Sequence, residues 1–353
     1  MNMKIEWLRN KLKSLNMQGM IVSNPVNVRY LTDIDAEGIL LITRKENIYI
    51  TDSRYIESVQ KVLTIGDNII VENVSDISKD DYENFFMFCE NVGFEESYVT
   101  YSKYQEYMYK YKINNMVETE QMIEKQRMIK DKTEIENIKK ACELTDNCFN
   151  HLLTFIKKGK TEKEIALEIQ RYFITNGADD VSFEPIVASG VNSSMPHAVP
   201  TDKKIESGDI ITLDFGCKYK GYCSDMTRTI FVDVVQDYIK PVYDLVLKNQ
   251  EQIAKEIREG IASKVLFRMV DNDFKLHDYS LVHALGHSVG LDIHENPSLS
   301  QRDETILKEN MIITNEPGIY IPGKFGVRIE DTCLVTKSGC TNLTNSDRGY
   351  III

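Results

Sequence analysis

Two apolar segments of this chain each end on an acid, and each is followed by a turn and a second acid. Ile211-Thr-Leu-Asp214 runs like Ile313-Thr-Asn-Glu316, with Asp225 downstream of the first and Glu330 downstream of the second. Both read as strand, turn and strand, and a repeat of that kind predicts two similar half-domains facing one another. The halves would bring four carboxylates to one place. Acids gathered on apolar strands need a cation between them, because like charges cannot all stay ionised at close range. That requirement limits the architecture more than any other feature.

The turns set the pairing. If Tyr219 and Lys220 form a two-residue hairpin turn, Asp214 lies directly opposite Asp225, since both are equally far from its centre. Opposed residues of an antiparallel pair hold their Cβ atoms about 4.5–5.5 Å apart, where like charges destabilise. Glu316 and Glu330 are symmetric about Gly323, which suits a three-residue loop of Pro322, Gly323 and Lys324. One such pair taken alone is more often a solvated strand edge. Two pairs in a repeat point to a site.

Histidines collect in the same region. Three of the six, His283, His287 and His294, fall within twelve residues, and His197 precedes the Asp214 strand in a Met-Pro-His segment. A lone histidine is usually a satisfied core or surface residue, and that reading is kept for His151 and His277. A helical zinc pair of His283 and His287 would need Glu beside the first, where Ala284 stands, and Gly286 and Gly290 interrupt a helix there. Four carboxylates with one or two imidazoles make an oxygen-rich site, suited to Mn²⁺, Co²⁺, Fe²⁺ or Zn²⁺ rather than to a thiolate-preferring ion. Two such ions about 3.5–4 Å apart share acids, lower the pKa of a water between them and polarise a carbonyl, which implies hydrolysis of an amide or ester. The chain has no Walker P-loop, no GxGxxG after a strand and no GxSxG elbow.

At 353 residues the chain exceeds one domain of roughly 100–200 residues. Its 42% hydrophobic and 27% charged residues are an ordinary balance for a folded protein. Lys plus Arg number 42 against 54 Asp plus Glu, and the net charge of −12 repels nucleic-acid backbones and anionic membrane surfaces. No apolar run of about 18 residues can span a membrane, and the N-terminus lacks a signal peptide's continuous apolar segment. Seven cysteines with no CxxC pair read as reduced thiols of a cytoplasmic protein.

The spacing of Ile5, Leu8, Leu12 and Leu15 predicts a first helix, Met20 to Ser23 a strand, and Gly38 to Thr51 a hairpin tipped by Arg44 to Asn47. With strands at Asn68 to Glu72 and Val92 to Glu95, residues 1–125 form an α/β domain in which nothing looks catalytic. Residues 126–353 form the second domain. Capping boxes at Asp131 to Glu134 and Thr161 to Glu164 open two helices. A strand-rich region starts near Ser182, broken by a helix from about Tyr238 to Gly260 and another before His283.

In order and spacing, NSSMPHAVP, TLDFGCKYKGYCSDMTRTIF, HALGHSVGLDIHE, TNEPGIYIPG and GVRIEDT resemble the proline-specific peptidases of the pita-bread metallopeptidase superfamily, aminopeptidase P and prolidase. The N-terminal region is similar to the creatinase-type domain of the same proteins. The implied fold class is α+β, a C-terminal pita-bread (creatinase/aminopeptidase) catalytic domain preceded by a smaller α/β creatinase-type domain. The resemblance implies two divalent ions, Mn²⁺ first among them: Asp214 binding one through both oxygens, Asp225 and Glu330 bridging, His287 and Glu316 completing the second. It also implies Glu316 as general base, His197 and His294 on the scissile carbonyl and the tetrahedral intermediate, His283 beside the substrate's proline, and Arg328 bracing the acids.

The implied substrates are short peptides with proline in second position, and the implied assembly is a homodimer. The activity is removal of an N-terminal residue from an Xaa-Pro bond, with Xaa-Pro dipeptidase action as the alternative. A metal-free binding module or a metal-independent creatinase would show a broken ligand set, whereas all five ligand positions are intact. Two departures stand out. Prolidases often carry Arg just beyond the His294 position, suited to a dipeptide's carboxylate; this chain has Ser298 there and Arg302 further on, which favours aminopeptidase P-type action. Asn315 replaces the usual aliphatic residue before Glu316, and strand alternation points it away from the metals.

Overall fold

The computed structural model describes residues 2–63 and 68–353, in two units, Met1–Arg127 and Met128–Ile353. In the first unit β1 (Gly19–Val22), β2 (Ile39–Ile42), β3 (Asn47–Thr51), β4 (Ile69–Asn73), β5 (Val92–Phe94) and β6 (Met116–Glu118) form one sheet in the order β4-β3-β2-β1-β5-β6. The expected hairpin is β2 with β3, paired from Ile39↔Ile50 to Ile42↔Asn47. Helix Met3–Ser14 buries Ile5, Leu8 and Leu12, and the Asn2 side chain caps it by accepting from the Lys4 and Ile5 amides. Residues 98–111 are rich in tyrosine and carry helix Tyr101–Lys110; Tyr107 and Tyr111 enter the core with Phe86 and Phe94, while Tyr101 and Tyr109 face solvent.

The second unit is built twice. Helices Lys132–Phe155 and Glu162–Thr175 open with the two expected capping boxes, and Lys240–Glu256 and Ser263–Lys275 are their counterparts. After the first helix pair come β7 (Asp180–Val181), β8 (Ile186–Ser189), β9 (Ile210–Phe215), β10 (Cys217–Tyr219), β11 (Tyr222–Cys223) and β12 (Met226–Phe231), as sheets β12-β9-β8 and β11-β10-β7. After the second come β13 (His287–Ser288), β14 (Glu295–Ser298), β15 (Ile312–Asn315), β16 (Gly318–Ile321), β17 (Phe325–Arg328), β18 (Asp331–Val335) and β19 (Cys340–Asn342). These form the sheet β14-β13-β15-β18-β19 and the ribbon β16-β17. Small devices repeat as well. Gly159 and Gly260, at φ 89 and 88, follow the first helix of each half, and their amides donate to Ile205 O and Leu307 O.

Alternation divides the strand faces. Ile211, Leu213 and Phe215 pack with Phe149, Ile169 and Phe173, while Ile313, Val327 and Ile329 pack with Val246 and Phe274. Asp214 therefore leaves on the opposite face from its apolar neighbours.

The second hairpin has the expected register, Gly318↔Arg328 to Ile321↔Phe325, around Pro322, Gly323 at φ 70 and Lys324. Asn315↔Asp331 keeps the same register, so Glu316 and Glu330 face each other between the two paired stretches. The first hairpin needs a correction. Its turn is Lys220-Gly221, not Tyr219-Lys220, because a type I′ turn needs positive φ at both central residues and these have 48 and 82. Tyr219 pairs with Tyr222, and Asp214 pairs with Thr227 rather than Asp225. The slip is of two residues, which preserves the face, so Asp225 stays diagonal to Asp214 on the same side. Among the described residues, no helix is long and apolar enough to cross a membrane.

Candidate metal centre

Asp214 comes from β9, Asp225 from the residue before β12, His287 from the start of β13, Glu316 from the residue after β15 and Glu330 from between β17 and β18. His287 Nε2 lies 3.5 Å from both Asp225 Oδ2 and Glu316 Oε1, beyond good hydrogen-bonding distance. Asp225, His287 and Glu330 each offer a ligand atom within 4.8 Å of the others. Asp214 raises the proton affinity of Asp225, Glu316 and Glu330, so its charge acts on the same space.

Whether these residues fit a cation is decided by their oxygens. Asp214 Oδ1, Asp225 Oδ1 and Glu330 Oε1 are buried without a hydrogen-bond partner, the arrangement that buried acids avoid unless something positive completes it. Burial, then repulsion from neighbouring acids, drives Asp225 and Glu330 well above the usual carboxylate range. Burial pushes Glu316 up to about 8 against the pull of Arg328. Burial also draws His283 and His287 down to about 4, leaving neutral imidazoles, the form that ligates. His287 Nδ1 lies 3.1 Å from Ser288 O, which makes it the N–H nitrogen and turns the Nε2 lone pair toward the acids. The donor set fits a divalent cation.

Residues 136–337 match metallopeptidase family M24, and residues 4–129 match the Creatinase/Prolidase N-terminal domain. The chain belongs to metallopeptidase family M24. It is 35% identical over 356 residues to the Xaa-Pro dipeptidase of Pyrococcus horikoshii, covering 99% of both chains. Its fold superposes on the Xaa-Pro dipeptidase from Bacillus anthracis with a TM-score of 0.92 at 37% identity, over 99% of each chain. It superposes on X-Pro aminopeptidase from Thermotoga maritima with a TM-score of 0.89 at 31% identity, over 97% of this chain and 100% of that one.

Arg328 of this M24 peptidase meets four acceptors from one buried position. Its Nη2 donates to Asp214 Oδ2 (2.5 Å), its Nε to Thr227 Oγ1 (3.1 Å), and its Nη1 to Tyr320 Oη (2.6 Å) and Pro196 O (3.3 Å). Thr227 Oγ1 in turn donates a hydrogen bond to Glu330 Oε2 (2.7 Å). Tyr320 Oη lies 3.0 Å from His283 Nε2, and His283 Nδ1 is 2.7 Å from Ala284 O, so the tyrosine donates to a neutral ring of fixed tautomer. Thr227 and Tyr320 thus join the site beside the acids and histidines. Thr227 was hidden by the two-residue slip in register; Tyr320 had a signal, its place diagonal to Arg328 in the β16–β17 ribbon.

Two further histidines, His294 and His197, are exposed, and two others lie away from the acids of the centre. His294 is exposed, with its ring centroid 4.4 Å from that of His287. His197 is exposed too and borders an open cleft of about 610 Å³ with Leu167, Phe183, Pro185 and Val199. Ser298 pairs across from His287. Asn315 is buried and donates to Gln250 O (2.8 Å), off the site as alternation requires. His151 lies outside, 2.6 Å from Glu168 and stacked on Tyr172, and His277 is exposed. His283 and His287 share no helix, which disposes of the helical zinc pair.

Proposed function

We propose that this chain is a metal-dependent exopeptidase hydrolysing the bond between an N-terminal residue and proline, with Asp214, Asp225, His287, Glu316 and Glu330 holding two divalent ions, Mn²⁺ foremost. The observation that carries this reading is the set of unpartnered carboxylate oxygens on Asp214, Asp225 and Glu330 around a neutral His287. When bound, the ions lower the pKa of a water and polarise the scissile carbonyl. Glu316 takes a proton from the attacking water and has it to give to the proline nitrogen as the C–N bond breaks. His294 and His197 hold the carbonyl oxygen and the tetrahedral intermediate, and His283 lines the proline side, kept neutral by burial and oriented by Tyr320. The resemblance adds a cytoplasmic homodimer, and seven unpaired thiols, six of them buried, suit a reducing compartment.

On substrate length two observations diverge. Ser298, opposite His287, offers no cation for a dipeptide's carboxylate, which favours an aminopeptidase P-type enzyme open past proline. The names of the 35–37% identical relatives favour an Xaa-Pro dipeptidase. Hydrolysis of an Xaa-Pro dipeptide against the matching Xaa-Pro-Yaa tripeptide, with Mn²⁺ and with chelator, tests both levels. The tripeptide is expected to be cleaved faster, and chelator to stop both reactions. Hydrolysis indifferent to chelator, by protein that retains no metal, would remove the metallopeptidase reading.

Ser298→Arg supplies the missing guanidinium. It is expected to raise the dipeptide-to-tripeptide ratio of kcat/KM by about 10-fold, the size of one charge-assisted contact of 1.5–3 kcal/mol partly screened by solvent. An unchanged ratio would mean that the carboxylate is read elsewhere.

A further inference from the structure

One buried carboxylate is used by neither the metal centre nor the proton transfer. Glu162 is the first residue of helix Glu162–Thr175 and is fully buried. Its Oε1 accepts from Ser189 N (2.7 Å), Ser189 Oγ (2.8 Å) and Asn192 Nδ2 (3.1 Å). Its Oε2 accepts from Thr201 N (2.9 Å) and Thr201 Oγ1 (2.6 Å), with Asn192 Nδ2 also at 3.2 Å. Ser189 and Thr201 are the two ends of one excursion from the sheet, and His197 lies on it.

The tip of that excursion is fastened to the centre itself. Gly326 N donates to Ser193 Oγ (3.0 Å), and a Cβ at Gly326 would stand 2.2 Å from Ser193 O, so the ribbon and the excursion touch backbone to backbone. Arg328, which holds Asp214, also donates to Pro196 O, one residue before His197. The excursion is thus pinned at its stem by Glu162 and at its tip by the residues that organise the acids.

The internal repeat shows that the fold does not ask for an acid at this position. In the second half Ser263 takes the place of Glu162: Ser263 N donates to Thr305 O as Glu162 N donates to Lys203 O. Ser288 takes the place of Ser189, opposite Ile313 as Ser189 is opposite Ile211, and its hydroxyl donates to Ile312 O rather than to a carboxylate of the helix. A helix-borne carboxylate closing the stem is particular to the half that carries His197. Hydrogen bonds from Ser189 and Thr201 outweigh the penalty of burial and hold Glu162 below the usual range, ionised, and the helix N-terminus favours the same state.

We propose that Glu162 is a positioning residue, whose carboxylate closes the stem of segment 189–201 and thereby sets where His197 meets the substrate. The proposal rests on the role given to His197 above. Glu162→Gln keeps the shape but turns an amide N–H₂ against N–H and O–H donors. It is expected to lower kcat by about 10- to 100-fold with little change in KM, as a small misplacement of a group acting late in the reaction does. Metal content should equal that of the parent protein. The decisive readout is the cycle with His197→Ala: the double variant should be no slower than His197→Ala alone.

Parent-like turnover of Glu162→Gln, or losses that multiply in the double variant, would overturn the proposal. If His197→Ala itself hydrolyses normally, the role of His197 falls and this proposal with it; if only Glu162→Gln is normal, the role of His197 stands. Should the Gln variant not fold, Thr201→Ala and Ser189→Ala carry the same comparison, each withdrawing one hydroxyl donor. Each is expected to lower kcat about 3-fold or more, and to do nothing further in the His197→Ala background.

Discussion

Glu316→Gln is expected to abolish turnover, by about 10²–10⁴-fold in kcat at the least, the range that a positioned general base contributes. The amide keeps the carboxylate's shape and can still accept from Thr314 Oγ1, which lies 3.3 Å from Glu316 Oε1 in the parent protein. What it cannot do is take a proton. The geometry also places this carboxyl 3.5 Å from His287 Nε2 and 3.9 Å from His283 Nδ1, so the same substitution touches the ligand set. Two measurements separate the roles: metal content by elemental analysis and turnover with saturating Mn²⁺. Lost turnover with metal retained identifies the base. Lost turnover with metal lost makes the ligand role dominant. Undiminished hydrolysis would remove Glu316 from the proton transfer.

How much of this was legible in the sequence differs from element to element, for physical reasons. The capping boxes at Asp131 and Thr161 are local, complete within four residues, and both appear as read. The hairpin around Gly323 was legible because one glycine at its centre suits the left-handed residue of a three-residue loop, and its register delivers Glu316 opposite Glu330. The hairpin at Lys220-Gly221 was misplaced by one residue. Its glycine is the second turn residue, and only the backbone shows that Lys220 also takes a positive φ. The acids converged regardless, since the two-residue slip returns every side chain to its own face. Glu162 lay beyond local reading. Glu162 meets partners 27 to 39 residues away, and no periodicity near a helix start announces a carboxylate turned inward to close a distant loop.

Arg328→Met is expected to destabilise the metal-free protein by about 3–5 kcal/mol, the cost of breaking a buried ion pair from one side. Methionine fills the channel of the aliphatic stem, so the loss is electrostatic rather than a cavity. Asp214 would then have neither oxygen satisfied, because Arg328 holds Oδ2 and Oδ1 already lacks a partner. Tyr320 Oη and Pro196 O lose their donor in the same step. If Asp214 is a metal ligand, excess Mn²⁺ restores a positive partner to it, and the loss in urea midpoint should shrink markedly with metal present. Turnover should stay about 10²-fold low even then, because cation binding repairs the charge on Asp214 but not the aim of Tyr320 on His283 or the seat of Pro196 beside His197. Arg328→Lys is no remedy, since one ammonium cannot reach four acceptors spread around a planar guanidinium. A destabilisation equal with and without Mn²⁺ would mean that Asp214 answers only to the arginine and does not bind metal. Recovery of full turnover on adding Mn²⁺ would mean that Arg328 serves the charge balance alone.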